Sequence, residues 1–177
     1  MSDSESKLDK DVLHVTKTPT DVHIATEEFC LRELMLEPTN TMKWNALALS
    51  HLIMGNLEEA EDAVESSLDI DTSNHLTWRI LGDILHLQSR NKESENAYRM
   101  ALSLEPCDVH VMFQLARLCF ERDAFIEATE IMMRLASVIP NDQRVWDILT
   151  NCQNIERVQE ILSDRHQTAE VEKNECV

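Results

Sequence analysis

A shift of 34 residues lays this chain on itself. Trp44, Trp78, Met112 and Trp146 fall in one column, and Leu47, Leu81, Leu115 and Leu149 form another, three residues further on. Ala48, Gly82, Ala116 and Thr150 follow, mostly small. Later in the period come the small residues Ala60, Ser94 and Ala128, then the bulkier Val64, Tyr98 and Met132. The period closes on Thr72, Pro106 and Pro140, with Pro38 one period before Thr72. Asn40, Asn74, Asp108 and Asp142 share a further column just beyond. A chain with such a period is built from units that cannot bury their apolar faces alone and must stack to make a core.

Each column has a physical task. A Trp-x-x-Leu spacing puts both side chains on one face of a helix. The small residue beside the Leu lets a second helix approach closely, and the later small and bulky pair supplies that second helix's contact face. Proline cannot continue the helical hydrogen-bond ladder, so it marks the connector between units. Asn or Asp then accepts hydrogen bonds from the unpaired amides opening the next helix. Each unit is therefore expected to hold two antiparallel helices, with turns near Gly55-Asn56, Ser89-Arg90 and Arg122-Asp123. Asn56 with Glu59 reads as a capping box at the first turn.

The pattern resembles the tetratricopeptide-repeat family, whose unit reads W-x2-L-G-x2-Y, then A-x3-F, then P. The second copy matches it most fully, with Trp78, Leu81, Gly82, Tyr98, Ala101 and Pro106. The family's aromatic after the glycine is His51, Leu85 and Cys119 here, and Ser94 stands where an alanine is expected. The resemblance covers residues 41–142 in full copies. It implies an all-α fold, a right-handed α-solenoid of antiparallel helix pairs.

Residues 1–20 are polar and charged and read as a disordered tail, and residues 21–40 as a capping half-repeat with a helix over 22–36. Three repeats follow at 41–74, 75–108 and 109–142. Residues 143–166 hold a partial repeat and a closing helix over 155–164, with Ile155, Val158, Ile161 and Leu162 on its apolar face. Residues 167–177 read as a second disordered tail.

Charge and composition narrow the function. The formal charge is −17, so phosphate backbones and acidic membrane surfaces are repelled, and neither nucleic acid nor membrane insertion is expected. Five scattered cysteines without a Cys-x-x-Cys pair read as reduced thiols. The start of the sequence lacks the apolar core of a signal peptide, and no stretch approaches a bilayer span, which points to a soluble cytoplasmic protein. With two glycines there is no phosphate-binding loop, and there is no Gly-x-Ser-x-Gly elbow or His-x-x-x-His pair. No cofactor, metal or catalytic role is expected.

In the family, positions 2, 5, 9 and 12 of the unit face a concave groove. Carried over, these are Met42, Asn45, Leu49 and Leu52, then Leu76, Arg79, Asp83 and His86, then His110, Phe113, Arg117 and Phe120, with Arg144, Asp147 and Asn151 from the partial copy. Cations thus gather on this wall, while Glu58, Glu59, Glu61, Asp62, Glu65 and Asp69 crowd one outer helix. The expected partner is a protein segment, peptide or helix, with apolar and acidic residues. The competing reading has Phe113 and Phe120 packed within the chain, and Arg79 paired with Asp83 one turn on. A subclass of the family grips acidic chaperone tails through a Lys, Asn and Arg clamp. The corresponding Asn45, Leu49, Ile80, His110 and Gln114 do not match it. Three functions stand: a groove-binding adaptor, a constitutive subunit of a larger assembly, and, against the charge, an RNA-binding helical array.

Overall fold

A computed structural model describes residues 19–151, 153 and 154. Among the described residues, these helices follow one another: α1 (Pro19–Leu36), α2 (Thr41–Met54), α3 (Leu57–Ile70), α4 (His75–Leu87), α5 (Asn91–Leu104), α6 (Val109–Glu121) and α7 (Phe125–Val138). Residues 143–151 are again helical. Consecutive helices pack as antiparallel pairs, and successive pairs stack into a helical-repeat solenoid. The residues before 19, the expected closing helix over 155–164 and the tail over 167–177 lie outside the described residues.

Helix α1 opens at Pro19, inside the segment read as a disordered tail. Proline suits the first helical position, where its missing N–H would have no partner.

The column of Asn and Asp caps every first helix. Asn40 accepts from the Lys43 N–H at 3.3 Å, Asn74 from Leu76 at 3.0 Å, Asp108 from Val111 at 3.1 Å and Asp142 from Arg144 at 3.0 Å. Each cap contributes about 1 kcal/mol. The second helices are opened differently. Asn56, Arg90 and Ala124 make no side-chain cap bond, so the Asn56–Glu59 capping box is absent. Instead Gly55, Ser89 and Asp123 take left-handed φ angles of 82°, 62° and 63°. The next amide then reaches back to the same column of carbonyls: Asn56 to His51, Arg90 to Leu85 and Ala124 to Cys119, each at 2.9 Å. That closure ends the first helix and aims the second.

The tryptophans have a role the spacing does not reveal. The indole N–H of Trp44 donates to the Pro38 carbonyl, that of Trp78 to Thr72 and that of Trp146 to Pro140, all at 2.8 Å. Each tryptophan clips down the connector six residues before it.

Small residues set the spacing within a pair. Ala60, Ser94 and Ala128 are buried, and the Ser94 hydroxyl donates to the Gly82 carbonyl at 2.8 Å. Val64, Tyr98 and Met132 fill the space beside them. The first two repeats are also joined by a buried polar contact. The Asn45 amide donates to Thr77 Oγ1 at 2.9 Å, and that hydroxyl donates back to Asn45 Oδ1 at 3.0 Å. A buried amide with both ends bonded costs little and fixes register between repeats.

Candidate functional site

The first helices of successive repeats meet along one wall. Asp83 on α4 accepts from the Tyr98 hydroxyl at 2.7 Å and lies 2.9 Å from His110 Nε2 on α6. Arg117 on α6 donates to His86 Nε2 on α4 and lies 3.8 Å from Glu121. The Arg144 guanidinium stands 5.9 Å from the Phe113 ring centroid.

The expected wall residues divide into three groups. Asn45 is buried in the contact with Thr77 and presents no free polar atom to a partner. The arginines are engaged within the chain. Arg79 pairs with Asp108 at 3.5 Å, across the connector, rather than with Asp83. Arg144 holds Asp142 through two bonds of 3.0 and 2.7 Å. The third group is apolar. Phe113, Phe120, Arg117, Ile148 and Asn151 line an open depression of about 200 Å³. That volume takes one or two side chains, since ligand pockets run to about 300 Å³ and above. Phe120 also meets Phe125 of α7 edge-on, with centroids 5.3 Å apart.

At the other end, Met42 and Leu49 are exposed while Leu52 packs against the core. On α1, Leu36 is exposed, and Phe29 is half-exposed with the Lys43 ammonium 4.4 Å from its ring centroid.

The imidazole of His110 has its pKa raised, chiefly by its bond to the Asp83 carboxylate. A raised value means that the His110–Asp83 link contributes fully at acid pH and is lost as pH rises through the folded pKa, above the ordinary value of about 6.5. The ring is nearly half exposed, so the contribution is below about 1 kcal/mol. Thermal melts should therefore show a small stability advantage near pH 6 over pH 8 that His110→Gln removes. An advantage unchanged in that variant would place the effect elsewhere.

A metal site is poorly supported by the acidic group on the outer side. Glu95, Cys119 and Glu127 cluster within 4.8 Å, but two guanidinium groups already hold the carboxylates. Arg99 lies 2.5 Å from both Glu95 and Glu127, and Arg122 bridges the same pair. Burial, with the nearby carboxylates, pushes the Cys119 thiol up to about 11, away from the thiolate a metal requires. This network ties α5, α6 and α7 together.

No family model matches the chain. Over 92 residues, 52% of the chain, it is 28% identical to the peroxisomal targeting signal receptor of Saccharomyces cerevisiae, and it spans 15% of that protein's length. The fold resembles the crystal structure of MamA with a TM-score of 0.68 at 14% identity, covering 86% of this chain and 98% of MamA. It also resembles a chain of the Naa15/Naa10 complex bound to HypK-THB, with a TM-score of 0.63 at 20% identity over 84% of this chain and 24% of that one. No helix among the described residues is long and apolar enough to cross a membrane. By its stacked helix pairs and these likenesses, the chain has a helical-repeat α-solenoid fold.

Proposed function

We propose that this chain is a non-catalytic protein-interaction scaffold of the tetratricopeptide type, working as a standing subunit of a multiprotein assembly. One observation carries the reading: Phe29, Leu36, Met42 and Ile53, on α1 and α2, are each exposed by half or more. A free-standing protein rarely leaves such a patch in water. The likeness to a chain from the Naa15/Naa10 complex supports the same role. The purely helical-repeat architecture agrees with a scaffold rather than an enzyme.

The test is solution behaviour. The isolated chain should self-associate as its concentration rises in light scattering. Phe29→Glu with Met42→Glu should restore a monomer of equal helicity. A native chain that stays monomeric across the same range rules out a standing subunit.

The second reading, a groove adaptor, is favoured by the Phe113–Phe120 depression. There Phe113, Arg117 and Phe120 would take an apolar anchor, with His86, His110, Arg79, Asp83 and Arg144 beside it. Asn45, Leu49 and Leu52 would then be a minor part of the surface. Because the wall's arginines are already paired, an acidic partner would have to displace Asp108 or Asp142, and the gain is small.

A further inference from the structure

Successive repeats are joined along the wall by different chemistry. Between the first and second repeats, α2 packs closely on α4, and the polar tie is Asn45 to Thr77, an amide and a hydroxyl that carry no charge. Helices α4 and α6 stand further apart and are bridged by side chains. Two of these bridges involve an imidazole. His110 Nε2 lies 2.9 Å from the Asp83 carboxylate, and Arg117 donates to His86 Nε2. Asp83 and His86 are one turn apart on α4, and His110 and Arg117 about two turns apart on α6, so the wall is held at two separate points.

The two bridges make opposite demands on the proton. A carboxylate bonds a charged imidazole more strongly than a neutral one. A guanidinium has only donors, so Arg117 can bond His86 Nε2 only while that nitrogen is unprotonated. The hydrogen of neutral His86 must then sit on Nδ1, which is buried and without a partner among the described residues. The bridge is thus held against the cost of an unpaired buried N–H. A second proton, on Nε2, removes the acceptor and sets two cations side by side. The charged groups around His86 decide where Arg117 then goes. On α4, Asp83 is already bonded by the Tyr98 hydroxyl of α5 and by His110 of α6. Glu61 of α3 holds Gln88 and Arg90 beyond the end of α4. Helix α2 brings uncharged Leu49 and Leu52 to the matching wall positions, and its Lys43 lies over Phe29 of α1. Glu121, 3.8 Å from Arg117 on its own helix, is the carboxylate left to receive it. Arg117 is nearly half exposed, so the change is local and moves global stability little.

We infer that the joint between the second and third repeats is a proton-operated pivot. With His86 neutral, α6 is tied to α4 at two points. With His86 charged, the Arg117 tie opens towards Glu121 while the Asp83–His110 tie holds. The joint between the first and second repeats, tied by Asn45 and Thr77, does not respond.

The test is nuclear magnetic resonance on the full chain with labelled histidine and arginine side chains, at about pH 8 and about pH 5, the range over which imidazoles change charge. At the higher pH, His86 should carry its hydrogen on Nδ1, and its ring should show a contact with Arg117. At the lower pH that contact should be lost, while the bond of His110 to Asp83 persists and the helicity by circular dichroism is unchanged. His86→Gln keeps an acceptor oxygen that takes no proton, so it should hold Arg117 at both pH values. His86→Lys is charged throughout and should release Arg117 at both. A hydrogen on Nε2 of His86 at the higher pH overturns the inference, and that result needs no variant. An Arg117 contact that survives in the native chain at the lower pH overturns it too. If His86→Gln loses the contact on acidification, another group is the trigger and the inference fails. Loss of both bridges together, or of helicity, would mean general loosening in place of a pivot and is equally fatal to it.

Discussion

Tyr98→Ala should remove about 3–5 kcal/mol of stability, the range for emptying a buried aromatic site. Tyr98 is the largest fully buried side chain of the second repeat, and its ring lies between α4 and α5. Burial, and then the adjacent Asp83 carboxylate, raise its phenol pKa and keep it a donor. Deletion therefore leaves a cavity and takes one donor from Asp83. Tyr98→Phe separates the two effects: a hydroxyl bonded to a carboxylate is worth about 1.5–3 kcal/mol, and the ring would remain. Urea unfolding followed by circular dichroism measures both. The second repeat sits in the middle of the array, so its loss should also uncouple the two ends, giving a shallower transition as well as an earlier one. A Tyr98→Ala chain that unfolds within about 1 kcal/mol of the native protein would mean that the site collapses freely.

Gly82→Ala sets two effects of opposite sign against each other. Helix propensity alone favours alanine by about 1 kcal/mol. The added Cβ, however, would lie 2.5 Å from Cδ1 of Tyr98, well inside contact distance. The ring cannot move away cheaply, since Asp83 holds its hydroxyl and its surroundings are closely packed. Overpacking of this kind costs about 1–3 kcal/mol or more. The net expectation is a loss of up to about 2 kcal/mol, despite the better helix former. The diagnostic experiment is the double variant with Tyr98→Leu. If the clash is the cause, the second change absorbs most of the first, and the pair falls short of the sum by at least about 1 kcal/mol. Additivity would trace the loss to the backbone instead.

These positions also show what the sequence could and could not disclose. The cap column at Asn40, Asn74, Asp108 and Asp142 was legible because capping is local chemistry, decided within three residues of chain. Small residues at Gly82 and Ser94 announced a close helix pair for the same reason. Partner choice across helices was not legible. Arg79 had a carboxylate one turn away at Asp83, yet it pairs with Asp108, because Asp83 is already engaged by Tyr98 and His110. Asn45 looked like a wall residue by register and is instead held by Thr77, 32 positions away. The Asn56 capping box failed because the left-handed Gly55 fixes the turn through backbone bonds.

The tryptophan clips have a mechanical consequence. Three connectors are fastened by an indole N–H, but the third repeat carries Met112 in that column and has no such donor. Its connector is held by the Arg79–Asp108 pair and by an Arg134 bond of 3.3 Å to the Pro106 carbonyl. Asp108 is largely buried and Arg79 partly so, which shields the pair from most of the screening that salt gives exposed charges. One joint of the solenoid is thus fastened by charge where its neighbours are fastened by an indole.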